Sequence, residues 1–439
     1  MKRDAHLNNA ALMTRRHAAV ARGVGQAHEI FVDRAVNAEV WDVEGRRYID
    51  FAGGIAVLNT GHTRPEIVEA VKEQLDRFSH TCFQVLAYES YVELAERLNA
   101  LAPGQFAKKS LFLSTGAEAV ENAVKIARSF TGRGGVIAFT GGYHGRTLMT
   151  LGLTGKVAPY KTGFGPFPGE VFHALFPNAL HGISVADALH SVELIFKNDI
   201  EPTRVAAFIV EPVQGEGGFV VAPPEFISGL KALADKHGIL LILDEVMSGF
   251  GRTGDWFSWQ NETINPERIV PDLITFAKGV NSGYVPTGGV IISESIAREF
   301  DDQVFPGGLT YSGHPLAMAS IVASIDAMDE EGIIENAARI GRESLGPGLV
   351  ELASRHPMIG EVRGLGVFWA LDLVKDAETR EPVAPATVGL LKAELLKRGL
   401  LPFVADNRIH VVPPCTVSAE QVATALAIYD EAFTAVEAI

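Results

Sequence analysis

Two apolar runs in this chain end beside residues of opposite chemistry. Ile239–Leu243 runs straight into Asp244, within ILLILDEVMSGFGRTG (Ile239–Gly254), and Leu273–Phe276 leads within two residues to Lys278, in LITFAK. Short apolar runs bounded by turn residues predict buried strands, so a carboxylate and an amine are both placed at strand tips. Alone, a strand-end aspartate is ordinarily solvated and a lysine ordinarily lies on the surface. The aspartate could also serve magnesium in a nucleotide hydrolase, which requires an upstream G-x-x-x-x-G-K-[ST]. The Gly-Lys pair that could serve, Gly155-Lys156, is followed by Val157 and lacks the first glycine. Together, the two groups suit a pyridine aldehyde. The amine forms a Schiff base with it, and the carboxylate keeps the ring nitrogen protonated so that the ring can accept electrons.

A phosphorylated aldehyde also needs a cradle. STGAEA (Ser114–Ala119) follows the apolar run Ser110–Leu113 and opens the amphipathic stretch Ala117–Phe130. Gly116 allows a tight turn, and the free N–H groups of a first helical turn face an anion. GGYHGR (Gly141–Arg146) follows Gly135–Phe139. It offers the ring of Tyr143 to lie against the cofactor and Arg146 to bind a carboxylate bidentately, with His144 between them. Helix starts of this kind are common, and the signal comes from their joint position at strand ends.

The elements that must position these residues alternate along the chain. Val205–Val210 and Gly289–Ile292 add two further apolar runs, and Pro224–His237 a second amphipathic one. Buried strands alternating with helices predict an α/β fold with a mostly parallel sheet, whose ligands sit beyond the carboxyl ends of the strands. Val40–Phe51 reads as a hairpin turning at Glu44–Gly45. Ile333–His356 reads as helix, Gly360–Leu371 and Arg408–Val412 as strands, Val374–Pro385 as an exposed loop, and Ser418–Val436 as a final helix. The expected division is a large domain over residues 60–332 and a smaller α+β domain formed by residues 1–59 and 333–439.

Acidic residues outnumber basic ones, 53 to 38, for a formal charge of −15. With no Lys/Arg block, a nucleic-acid or anionic-membrane partner is not expected. Two cysteines, Cys82 and Cys415, offer neither a disulfide framework nor a zinc pattern, so no metal is expected and a reducing cytoplasm fits. Met1–Arg22 lacks the apolar core of a signal peptide, and no run is long enough to span a membrane.

The chain resembles the class III, fold-type I aminotransferases, which depend on pyridoxal 5'-phosphate. The resemblance is carried by LILDEVMSGFGRTG and PDLITFAKGVNSGYVPTGGVII within Leu241–Ile292. From Thr14 to Leu240 it is closer still, to bacterial 4-aminobutyrate aminotransferases, through DVEGRRYIDFAGGIAVLNTGH (Asp42–His62), SHTCFQVLAYE (Ser79–Glu89), TGAEAVENAVKIAR (Thr115–Arg128), YHGRT (Tyr143–Thr147) and EPVQGEGGF (Glu211–Phe219). Beyond Leu241 the chain is more similar to another class III branch, handling assorted amines or ω-amino acids. The two likenesses meet inside Ile239–Leu243, as in a chimera.

The resemblance implies roles by position. Lys278 would bind the cofactor and shuttle the proton, Asp244 would pair with the pyridinium, and Tyr143 and Val246 would sandwich the ring. Gly116 and Ala117 would bind phosphate through backbone N–H groups, and Thr310, in GGLTYSGHP, would reach the phosphate from a partner subunit of a homodimer, which could assemble further to a tetramer. Glu211 would stand at the cofactor end of the site. Arg146 would hold the distal carboxylate of 4-aminobutyrate or the side-chain carboxylate of glutamate, and Arg408 the α-carboxylate of glutamate or 2-oxoglutarate. Glu216 would pair with Arg408 when no α-carboxylate is bound, and Ile55 would shape the wall near the reacting carbon. Two departures stand out: Ala117 replaces a serine common in the phosphate loop, and Met247 stands where a glutamine is usual. The implied reaction is transamination of 4-aminobutyrate with 2-oxoglutarate. The competing expectation is an ω-amino-acid or amine transaminase that uses pyruvate.

Overall fold

The structure is a computed structural model that describes residues 8–302, 304–376 and 378–438. Of the polar N-terminal stretch and the Val374–Pro385 segment, Met1–Leu7 and Ala377 lie outside the described residues. A seven-stranded sheet forms the centre, in the spatial order Lys108–Leu113, Gly288–Ser293, Leu273–Phe276, Leu240–Asp244, Val205–Val210, Gly135–Phe139, Val171–Ala174. Gly288–Ser293 runs antiparallel to both its neighbours, while the other pairings are parallel. The sheet is therefore mostly parallel, and its carboxyl edge gathers the turns read from sequence.

Both faces of the sheet are covered, which is why its strands read as unbroken apolar runs. Ile242, Ile209, Ala207 and Val290 pack with Val120, Ala123 and Val124 of the helix Gly116–Thr131. Leu241, Leu243 and Phe208 face the other way, against Phe226 and Leu230 of the helix Pro224–His237. This alternation fixes the register, because a slip of one residue would exchange the two faces.

A second sheet draws strands from both parts of the chain. The antiparallel strands Val32–Val36, Glu39–Asp42 and Arg47–Asp50 share a sheet with Leu400–Leu401, which pairs in parallel with Ile49 and Asp50. Several sequence expectations are corrected here. Gly360–Leu371 is a hairpin, Ile359–Leu365 and Phe368–Leu373, because Gly366 turns at φ 57°. Ile333–His356 is helical but interrupted by a π turn at Gly341–Leu345, where Gly341 lies so close to Gly366 that a Cβ would stand 2.1 Å from its carbonyl oxygen. The Val374–Pro385 loop is anchored rather than wholly exposed, since Val374 bridges to Pro382 and both Val374 and Val383 are buried. The strands Val32–Val36 and Val171–Ala174 were not anticipated.

Candidate active site

Asp244 and Lys278 line one cavity of about 480 Å³ at the carboxyl edge of the sheet. That volume lies within the range of small-molecule sites, about 300–1,000 Å³. Their strands are parallel neighbours, with Asp244 opposite Thr275, three residues before Lys278. The apolar registers of the two strands thus carry the acid and the amine to the same edge.

Asp244 is buried and held on three sides. Its Oδ1 accepts from the Val246 N–H at 3.1 Å and from the Thr275 hydroxyl at 3.1 Å, and its Oδ2 lies 2.7 Å from Nδ1 of His144. Oδ2 keeps a free lone pair for one further donor. Burial disfavours a charged His144, but the hydrogen bond and charge of Asp244, with Glu211 nearby, raise its pKa overall. His144 is thereby a proton-rich support behind the carboxylate. Glu245 points the opposite way, as successive strand residues do. Its carboxylate accepts from Ser248, Ser258 and Trp259 in the interior, a structural knot that the sequence reading missed.

Lys278 sits in the left-handed region at φ 46°, a strain of about 1–3 kcal/mol of the kind concentrated at functional sites. Its amine has no hydrogen-bond partner among the described residues. Burial lowers its pKa, against the opposing charges of Asp244, Glu211 and Glu216. Lowering favours the neutral, nucleophilic amine. Glu211 is also buried, and its carboxylate accepts from the N–H groups of Tyr143 at 2.9 Å and Gly215 at 3.1 Å. Burial first, then the charge of Asp244, pushes its pKa up to about 7 against the relief given by His144.

The anion cradle is present. The helix Gly116–Thr131 is capped by Thr115, whose hydroxyl accepts from the Glu118 N–H at 3.1 Å, while the N–H groups of Gly116 and Ala117 have no acceptor among the described residues. A Cβ on Gly116 would stand 3.0 and 3.2 Å from the Val246 methyls, and one on Gly145 would stand 2.8 Å from that of Ala117. Gly145 is thus required by close approach and by its φ of 131°, while a side chain at Gly116 would have to push Val246 aside. Tyr143, Val246 and Met247 also line the cavity, as do Thr287 and Asn281, two polar groups the sequence reading did not single out. An unpaired amine facing the cavity, a carboxylate with a vacant lone pair and two free N–H groups are the donor set that pyridoxal phosphate needs. A Gly116→Ala variant is expected to bind the cofactor about 10- to 100-fold more weakly, from about 1–3 kcal/mol of overpacking, as read by cofactor loss on dialysis.

The remaining site residues divide. Arg146 lines the cavity, its Nε donating to the Tyr143 hydroxyl at 3.2 Å. Arg408 lines an adjoining cavity of about 320 Å³, and Glu216 is a wall common to both. The expected carboxylate–guanidinium pair between Glu216 and Arg408 is absent: Tyr160 donates to the Glu216 carboxylate at 2.6 Å, and Arg408 donates to the Glu216 backbone oxygen at 2.9 Å. Ile55 does not line the cavity. It is 46% exposed, in a left-handed run from Gly53 to Ala56, and Val57 takes the place at the wall. Thr310 is exposed and outside the cavity of its own chain.

Comparison with known proteins agrees with this geometry. The family described as Aminotransferase class-III matches residues 19–433. The chain is 54% identical over 430 residues to a 5-aminovalerate aminotransferase of Pseudomonas putida, covering 97% of this chain and 98% of that protein. It is 49% identical over 431 residues to a 4-aminobutyrate aminotransferase of Escherichia coli, covering 97% and 98%. Among solved structures, a taurine:2-oxoglutarate aminotransferase of Bifidobacterium kashiwanohense, in complex with pyridoxal phosphate and glutamate, superposes with a TM-score of 0.91 at 34% identity, covering 99% of each chain. The fold is that of a pyridoxal-phosphate-dependent transferase, and the lysine–aspartate cavity fits that cofactor. This chain belongs to the class III aminotransferases.

Proposed function

We propose that the enzyme moves the amino group of a short ω-amino acid, 4-aminobutyrate or its homologue 5-aminovalerate, to 2-oxoglutarate, giving the ω-semialdehyde (succinate semialdehyde from 4-aminobutyrate) and glutamate. The observation carrying this reading is the pair of arginines on either side of Glu216, one inside the cavity of Lys278 and one beyond it. A dicarboxylate acceptor needs both, whereas an ω-amino acid needs one.

The bound pyridoxal phosphate supplies an electron sink for breaking the C–H bond beside the transferred amine. The residues of the chain do the rest. Lys278 would hold the cofactor through its amine and, once displaced, would carry the proton from the substrate carbon to the cofactor. Asp244, braced by His144 and Thr275, keeps a positive charge on the ring nitrogen. The helix start at Gly116 and Ala117 receives the phosphate. Tyr143 and Val246, with Met247 beside them in the cavity lining, would hold the ring between them. Arg146 aligns the distal carboxylate.

Arg408→Ala is expected to lower kcat/KM for 2-oxoglutarate about 10- to 100-fold, the worth of a charge-assisted bond of about 1.5–3 kcal/mol, and to change the 4-aminobutyrate half-reaction less than about threefold. Equal losses would count against the scheme, and activity with pyruvate but not 2-oxoglutarate would favour the amine:pyruvate reaction instead. The chain is read as a cytoplasmic enzyme, and among the described residues no helix is long and apolar enough to cross a membrane. It is also read as a homodimer in which Thr310 serves the partner's site. In support, Val85, Leu86, Val304, Leu309 and Tyr311 are exposed, and the two segments carrying them meet where the His80 and Tyr311 rings lie 5.0 Å apart. Residues 1–59 and 333–439 are read as one small domain, supported by the parallel pairing of Leu400–Leu401 with Ile49 and Asp50.

A further inference from the structure

Residues 141–147 belong to no helix or strand, so side-chain ties must set the place of Tyr143 and Arg146. Two of those ties come from one neighbouring segment. Glu211 directly follows the central strand Val205–Val210 and is 6% exposed. One of its oxygens accepts from the Tyr143 N–H at 2.9 Å, and the other from the Gly215 N–H at 3.1 Å. Gln214, three residues on, donates through Nε2 to the Thr140 carbonyl at 2.9 Å. The two backbones run close here: a Cβ on Gly217 would stand 2.5 Å from the Gln214 amide oxygen and 3.1 Å from the Gly141 carbonyl oxygen. A single carboxylate is thus bonded to both loops. On the first, the Tyr143 hydroxyl accepts from Arg146 Nε at 3.2 Å, so two contacts lead from Glu211 to the guanidinium. On the second, the residue after Gly215 is Glu216, a wall of the same cavity.

A carboxyl group accepts well on both oxygens only when ionised, since a proton on either one turns that oxygen into a donor. Burial raises the Glu211 pKa to about 7, with His144 opposing the rise and Asp244 adding to it. The other charged groups lining the cavity are Arg146 on the first loop, Glu216 on the second and Lys278 at the neighbouring strand end. Above neutrality both ties are charge-assisted, and below it one of them is weakened.

We propose that Glu211 is a positioning residue whose ionised carboxylate fastens the Arg146 loop to the Glu216 loop, and so sets how firmly the site grips a substrate carboxylate. This rests on the reading of Arg146 as that carboxylate's partner. The test uses the holoenzyme and butyrate, which has a carboxylate but no amine to react and titrates well below the range used. In the wild type, the dissociation constant for butyrate by calorimetry is expected to rise about three- to tenfold from about pH 8 to about pH 6, the worth of one weakened hydrogen bond. Glu211→Gln keeps the shape but turns an NH2 towards one N–H, so it should bind as weakly at either pH as the wild type does in acid. It should also raise KM for 4-aminobutyrate more than it lowers kcat. Gln214→Leu should weaken butyrate while keeping the pH step. Amide hydrogen exchange in residues 140–147 and 211–218, compared with the wild type at equal pH, should run about threefold or more faster in Glu211→Gln at about pH 8 and converge at about pH 6. A pH step that survives in Glu211→Gln assigns it to another group, His144 foremost, and overturns the proposal. A wild type whose butyrate affinity is flat across that range overturns it without any variant, as does unchanged exchange in Glu211→Gln at the higher pH. Should no form bind butyrate, the reading of Arg146 fails and the grip with it, and the exchange comparison alone decides whether Glu211 fastens the loops.

Discussion

A Lys278→Ala enzyme is expected to fold normally and to turn over more than about 10⁴-fold more slowly, the upper range for removing a positioned proton-transfer group. The amine faces the cavity, makes no hydrogen bond among the described residues, and is poised towards its neutral form by desolvation. Its loss therefore removes no structural bond and relieves a desolvated group, so the melting temperature should change by only a few degrees. The kinetic loss has no substitute nearby. Glu211 already spends its carboxylate on the N–H groups of Tyr143 and Gly215, and Asp244 is committed to His144, Thr275 and Val246. Single-turnover conversion of cofactor with 4-aminobutyrate measures the effect. A variant retaining a tenth of the wild-type rate would remove Lys278 from its role.

Asp244→Asn should cost about 10²- to 10⁴-fold in turnover, matching the about 3–5 kcal/mol lost when one partner of a buried ion pair is removed. The amide has nearly the same shape, and its oxygen can still accept from the Val246 N–H and Thr275. What vanishes is the negative charge that raises the His144 pKa and that, in the proposed mechanism, would hold a proton on the ring nitrogen. The sign of the second effect follows. With Asp244 ionised, His144 keeps its proton to a higher pH than an ordinary histidine, and in the variant it loses the proton at lower pH. Turnover is the main readout, and nuclear magnetic resonance of the His144 ring checks the cause. An unchanged rate, or an imidazole that titrates as before, would break the link drawn between the two side chains.

The reactive pair was legible because it terminates apolar runs. Ile239–Leu243 and Leu273–Phe276 announce buried strands by composition, and strand tips in parallel sheets are where ligands meet protein. The order of strands was not legible. Gly288–Ser293 inserts between Lys108–Leu113 and Leu273–Phe276 in the reverse sense, and nothing in its own residues records its neighbours. The Glu216 carboxylate turns to Tyr160, 56 residues earlier, through a loop contact that no local pattern encodes. The resemblance implied Ile55 as a wall residue, yet in this chain it lies 46% exposed in the left-handed run from Gly53 to Ala56 and outside the cavity lining. Gly53 is forced into that run by crowding, since a Cβ there would stand 2.2 Å from the Val412 oxygen. Arg252, in the run GRTG, looked like part of a signature and proves to be wholly buried, bonded to Asn59 and to the Pro413 carbonyl.

That last arginine gears the two ends of the molecule to its centre. Asn59 also holds the Phe250 carbonyl, and its own carbonyl accepts from the Cys415 N–H. One unsolvated cation thus ties Asn59 and Pro413, from opposite parts of the chain, to the loop that follows Asp244. A tilt of the C-terminal part would have to break these bonds or carry the loop after Asp244 with it.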